Sequence, residues 1–147
     1  GLKQNHLKRW KIFNICKNYD VCCLQETHIT DDLYKKWKKE WTGEIKYVAG
    51  TNRKKGQIIL INKNFKYKEL EEFHSSERIQ GITLTTEEGT YPILNVYGPN
   101  ESSERETFFN DIKNVEVSSE TLAKYLNRLV SPPILFTIIG RGRYSLK

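Results

Sequence analysis

Ile79-Gln80-Gly81-Ile82-Thr83-Leu84-Thr85-Thr86-Glu87-Glu88-Gly89-Thr90-Tyr91-Pro92-Ile93-Leu94-Asn95-Val96-Tyr97 holds two strand-like runs on either side of a turn. The turn is Thr86-Glu87-Glu88-Gly89, where a glycine can take the positive φ that tight hairpins demand. Ile79 to Thr86 and Thr90 to Tyr97 are therefore expected to pair antiparallel. Upstream, Ile45 to Ala49, Gln57 to Asn62 and Phe65 to Phe73 read as further strands. Closer to the N-terminus the period changes. Leu7, Trp10, Phe13 and Cys16 recur every three residues, widened by Ile12 and Ile15, and predict a helix over about 5–18 with a lysine-rich opposite face. Val21 to Gln25 follows as a short buried strand whose far end carries Glu26, Thr27 and His28. Thr30 can cap a second helix, with Asp31 and Asp32 in its positive first turn and Leu33 four residues from Trp37. Beyond Gly98-Pro99, Ser103 can cap a helix carrying Phe108, Phe109 and Ile112. Leu122, Tyr125, Leu126 and Leu129 mark another helix, stopped by Pro132 and Pro133. Ile134 to Ile139 is a last strand, with Gly140-Arg141-Gly142-Arg143 as a loop or frayed end. Helices and strands that alternate around an antiparallel middle define an α/β class with a mixed sheet.

The chain has 147 residues, no repeat and no linker-like tract, so one domain or a piece of one is expected. Lysine and arginine exceed the acids by six, and the pI is near 9.2, which favours a polyanionic partner, nucleic acid ahead of an anionic membrane. A hydrophobic fraction of 37% excludes a disordered chain, while a mean hydropathy of −0.64 indicates a lean core under a charged surface. The longest apolar runs are Val21 to Leu24 and Ile58 to Ile61, far short of the roughly 20 residues that span a bilayer. Three cysteines without metal-ligand spacing point to reduced thiols, hence an intracellular setting, nuclear or cytoplasmic. The first residue is Gly1, and the sequence reads as a fragment.

Glu26 stands out because a carboxylate at the end of a buried strand costs desolvation unless a partner compensates it. A divalent cation would do so, since Mg²⁺ is held by one or two carboxylates with waters and phosphate oxygens; a salt bridge to a basic side chain would do so equally. His28, two residues on along an extended chain, either orients that carboxylate or is a satisfied structural histidine. Tyr97 and Asn100 flank a turn at a strand tip, either as hydrogen-bond donors to a phosphate oxygen or as a wet strand aromatic and a turn former. Arg53, Lys54 and Lys55 lie in the Gly50 to Gly56 loop, where they can meet backbone phosphates; Lys35-Lys36-Trp37-Lys38-Lys39 reads as a solvated face. The tryptophans at 10 and 37 fit core stripes, so no stacking platform for single strands is evident.

Leu24-Gln25-Glu26-Thr27-His28, then Lys55-Gly56-Gln57-Ile58-Ile59-Leu60-Ile61, then Ile93-Leu94-Asn95-Val96-Tyr97-Gly98-Pro99-Asn100, in that order, resemble the endonuclease domain of non-LTR retrotransposons. That domain is of the endonuclease/exonuclease/phosphatase superfamily, related to apurinic/apyrimidinic endonucleases. The resemblance runs from Gly1 to about Gly140 and implies a partial four-layer α/β sandwich of mixed, largely antiparallel sheets flanked by helices, with residues 141–147 as a divergent basic tail. It implies Glu26 as a ligand of Mg²⁺, or of Mn²⁺ in its place, Tyr97 on the scissile phosphate, Asn100 in the same pocket and His28 in support. The implied reaction is hydrolysis of a DNA phosphodiester, nicking one strand so that its 3′-OH primes a reverse transcriptase of the same polyprotein; no small-molecule substrate or membrane is implied. Where the family has Gly-Asp-x-Asn this chain reads Gly140-Arg141-Gly142-Arg143, and the later Ser-Asp-His motif is missing. The expectation is a truncated, inactive nuclease domain; the alternative is a non-catalytic basic remnant that holds nucleic acid.

Overall fold

The computed structural model describes residue 2 and residues 5–50, 55–99, 101–118, 135–140 and 142–143. Asn100, Arg53, Lys54, the helix expected around Leu122 to Leu129 and most of the basic tail lie outside the described residues.

Local chemistry sets the first elements. The Asn5 side chain accepts the Lys8 backbone N–H at 2.8 Å and opens α1, His6–Cys16. β1 is Val21–Leu24. Thr30 caps α2, Asp31–Glu40, with both aspartates in the first turn and Lys38 and Lys39 in the last, as the helix dipole favours. β2, Glu44–Val48, and β3, Gln57–Ile61, complete a three-stranded antiparallel sheet in the order β1-β3-β2.

The second sheet is built on the hairpin. β5, Ile79–Thr85, and β6, Thr90–Val96, pair antiparallel, and the Thr86 N–H donates to the Gly89 carbonyl at 2.7 Å with Gly89 at φ +153°. β4, Glu69–Ser75, pairs with β5 on one side. After α3, Ser102–Ser118, β7, Leu135–Gly140, pairs parallel with β6, and the two-residue β8, Gly142–Arg143, pairs back onto β7. Ser103 thus lies within the first turn of its helix, and Gly142 and Arg143 are ladder residues, not a frayed end.

Three apolar clusters show the layering. α1 and α2 pack Phe13, Cys16 and Trp37 against Ile45, Ile58 and Leu60. Ile59 and Ile61, on the opposite face of β3, meet Ile82, Leu84 and Ile93 of the second sheet. Leu94 and Val96 turn outward onto Phe108 and Val115 of α3. Helices, sheet, sheet and helix therefore stack as a four-layer α/β sandwich. β3 is buried on both faces.

Four expectations change. β4 starts at Glu69, not Phe65, because Asn62 to Phe65 turn, with the Phe65 N–H on the Asn62 carbonyl at 3.0 Å; Phe65 packs between the sheets while the chain crosses from one to the other. β1 is half-buried throughout, since it pairs with β3 alone among the described strands. Leu7 is 70% and Trp10 55% exposed, and Ile15 is exposed as well. Each three-residue step drifts about 60° around a helix, so a stripe from Leu7 to Cys16 cannot stay on one face. The inward face belongs instead to Phe13, Cys16 and Arg9, whose guanidinium grips Glu40 at 2.7 and 2.9 Å, donates to the Leu2 carbonyl and lies over Trp37. The fourth change is at the site.

Candidate active site

The ends of β1 and β6 meet where the two sheets converge. Asn95, fully buried on β6, donates to the Leu24 and Ile58 carbonyls of the other sheet, each at 3.3 Å. Gln25 answers by donating to Asn95 Oδ1 and to the Val96 carbonyl, both at 2.9 Å. A polar crosspiece thus pins the strand end that carries Glu26 to the one that carries Tyr97. Such groups stay buried only because they satisfy one another. Across this junction the Tyr97 hydroxyl donates to Glu26 Oε1.

The segment after Leu24 is not extended. Glu26 has φ 50° and His28 φ 56°, so they are not two residues on one side of a strand. The loop is held by β3's approach: the Thr27 N–H donates to the Gly56 carbonyl at 3.0 Å and the His28 N–H to the Lys55 carbonyl at 2.9 Å. Gly56 itself has φ +85°, and a Cβ there would sit 2.9 Å from the Ile29 nitrogen. Thr27 and Ile29 are buried while Glu26 is exposed. The carboxylate therefore faces solvent with its phenol partner, without the burial that a strand-end position suggests. Among the described residues no lysine or arginine pairs with Glu26, and the partner described for it is the Tyr97 hydroxyl.

Lys55, expected to meet phosphate, pairs with Glu77. The next residue, Arg78, lies over the Tyr97 ring at 5.8 Å, bonds Glu104 at 3.1 Å, and accepts the Tyr97 N–H on its carbonyl at 2.8 Å. Glu77, Arg78, Asn95 and Gln25 were not singled out from sequence. Asn95 and Gln25 carried a signal, as amides inside or ending apolar runs; Glu77 and Arg78 carried none, since their place depends on where β5 starts.

Among the described residues no group of three or more His, Cys, Asp or Glu is arranged to hold a metal. The donor set that is present, one solvent-facing carboxylate beside a phenol, fits a hard cation that keeps most of its waters. Nor is any helix among the described residues long and apolar enough to cross a membrane.

The structure is thus a four-layer α/β sandwich whose converging strand ends oppose a carboxylate and a phenol. Over 132 residues the chain is 34% identical to the Transposon TX1 uncharacterized 149 kDa protein of Xenopus laevis, an alignment taking in 87% of this chain and 9% of that protein. The chain is thus similar to a short segment of a transposon protein and spans 9% of that protein's length. Among solved structures, truncated TDP2 from Caenorhabditis elegans superposes with a TM-score of 0.49 at 17% identity, covering 76% of this chain and 49% of that one. TDP2 from the same organism gives 0.48 at 18% identity, covering 76% and 38%. No family profile matches the chain.

Proposed function

We propose that this domain binds DNA across the strand ends at Glu26 and Tyr97, in the manner of a Mg²⁺-dependent target-site nicking endonuclease, and that this chain by itself turns over negligibly. The observation that carries the reading is the Tyr97 hydroxyl on the Glu26 carboxylate, fixed by the Gln25–Asn95 crosspiece. A carboxylate and a phenol so placed can serve a cation and a phosphate oxygen side by side. Glu26 would hold the Mg²⁺, or Mn²⁺, which when bound stabilises charge on the phosphate undergoing hydrolysis. The Tyr97 hydroxyl would turn from Glu26 to the scissile phosphate, Asn100 would donate to the same phosphate, and His28 would support the loop. Lys55 would leave Glu77 for a backbone phosphate, joined by Arg53 and Lys54.

Negligible turnover follows from Gly140-Arg141-Gly142-Arg143, which supplies cationic side chains where water activation needs a base. Losing members of a set that acts as a unit removes most of a catalytic rate. In the intact polyprotein the nick would prime a reverse transcriptase, in the nucleus or cytoplasm.

The test is duplex binding with and without Mg²⁺, followed by plasmid nicking. Mg²⁺ is expected to tighten DNA binding, and Glu26→Gln to abolish that response without unfolding the domain. Affinity indifferent to both Mg²⁺ and Glu26 would leave only a basic nucleic-acid-binding remnant. Nicking that vanishes in Glu26→Ala would overturn the proposed inactivity.

A further inference from the structure

α1 has no acidic residue, and its solvent face carries the one exposed tryptophan of the chain, Trp10, whereas Trp37 and Trp41 are buried. In a helix the residues at i−4, i+4 and i+7 share a stripe, which puts His6, Asn14 and Lys17 in line with Trp10. The Lys17 ammonium donates to Asn14 Oδ1 at 3.1 Å, one turn from the indole. Lys11 is exposed beside this stripe, about 100° around the helix from Trp10, whereas Lys8, also exposed, lies farther round. The neighbouring acid, Glu40 at the end of α2, is taken by Arg9 and also feels His6 and Lys36, so it does not neutralise the face.

We propose that this outer face of α1 is a second nucleic-acid surface, which takes a single strand by stacking a base on Trp10 and placing its phosphates on Lys11 and Lys17. The indole is a sequence-tolerant stacking platform, and lysines flanking such a platform are what a single-stranded partner needs. Leu7 and Ile15 are exposed on the outer face as well, but Lys11 stands one turn from each of them and Asn14 and Lys17 follow Trp10, so the face lacks the continuous apolar stripe that an amphipathic helix of a protein partner would need. The surface lies on the outer helical layer, whereas Glu26 and Tyr97 stand at the strand ends, and it does not depend on the nicking activity.

Because two of the three tryptophans are buried, quenching of the intrinsic fluorescence by an added ligand reports on Trp10 in the unmodified 147-residue chain. Oligothymidylate of about 16 nucleotides is expected to quench the exposed component. By anisotropy of a labelled oligothymidylate, Trp10→Ala should weaken binding roughly tenfold and Trp10→Phe should recover most of it. Lys11→Gln should lower the log–log salt slope by about 0.7. Circular dichroism checks that α1 survives each change. Unchanged affinity in Trp10→Ala overturns the proposal, as does duplex bound more tightly than single strand at this face. Quenching and displacement by polyglutamate at equal charge would also overturn it, and assign the face to an acidic polypeptide. Trp10→Ala should leave the Mg²⁺ response of duplex binding intact, so this surface and the Glu26 site stand or fall separately.

Discussion

Replacing Asn95 by leucine removes the crosspiece between the sheets while keeping side-chain volume close. The amide makes three hydrogen bonds, to the Leu24 carbonyl, the Ile58 carbonyl and Gln25. At a net value of about 0.5–1.5 kcal/mol each, with the two 3.3 Å bonds at the weak end, they contribute about 2–3 kcal/mol. Leucine gains some apolar burial, so the expected loss is about 2 kcal/mol. For a chain of this size, 1 kcal/mol moves the melting temperature by about 2–4 °C, giving a drop of about 4–8 °C. The assay is a thermal melt followed by circular dichroism. Below that melting point the variant should also have a weakened Mg²⁺ response of DNA binding, because Gln25 keeps only its bond to the Val96 carbonyl and Leu24 loses its tie to β6. A drop smaller than about 2 °C, or an unchanged Mg²⁺ response, would refute the claim that this amide holds the two strand ends together.

Arg9 lowers the carboxyl pKa of Glu40, so the stability of that pair is complete above the unfolded value near 4.5 and drains as pH falls through the lower folded one. Glu40→Gln should therefore melt several degrees below the parent at pH 7, and the gap should narrow progressively as pH falls below 4.5. Hydrogen bonding with Cys16 lowers the Cys22 thiol pKa, while burial and the neighbouring Cys22 push Cys23 up to about 12; Cys16 also shifts upward. Iodoacetamide at pH 7.5 should consequently label Cys22 first, read by mass spectrometry, with Cys16 and Cys23 protected until unfolding. Gly56→Ala forces a side chain into a left-handed residue against the Ile29 nitrogen and should cost about 2–3 kcal/mol in urea unfolding.

The hairpin, the cap at Thr30 and the strand at Gln57 were legible because each rests on a local signal: a turn glycine, a side chain that accepts a helix N–H, an apolar run. The Asn5 cap sits at the start of the expected helix, although the face of that helix was misread. A three-residue repeat looks amphipathic over one turn and drifts over three, and what rotates α1 is Arg9 finding Glu40, a partner 31 residues away. Glu26 and Tyr97 were legible as residue types at strand ends. Their mutual contact was not, because it depends on Asn95 and Gln25 reaching across two sheets. The left-handed backbone at Glu26 and His28 was likewise out of reach, since it follows from hydrogen bonds that Lys55 and Gly56 lend from another strand.

β3 has a consequence for how this sequence tolerates change. Ile58 and Leu60 belong to the core under the helices, and Ile59 and Ile61 to the core between the sheets. Four consecutive residues thus have no neutral side. Elsewhere a strand can absorb drift on its wet face; here every coding change is exposed to selection, or to its absence. Substitutions in Gln57 to Ile61 therefore cost the fold whichever face they touch, whereas a change at exposed Glu26 can remove function and leave the fold standing.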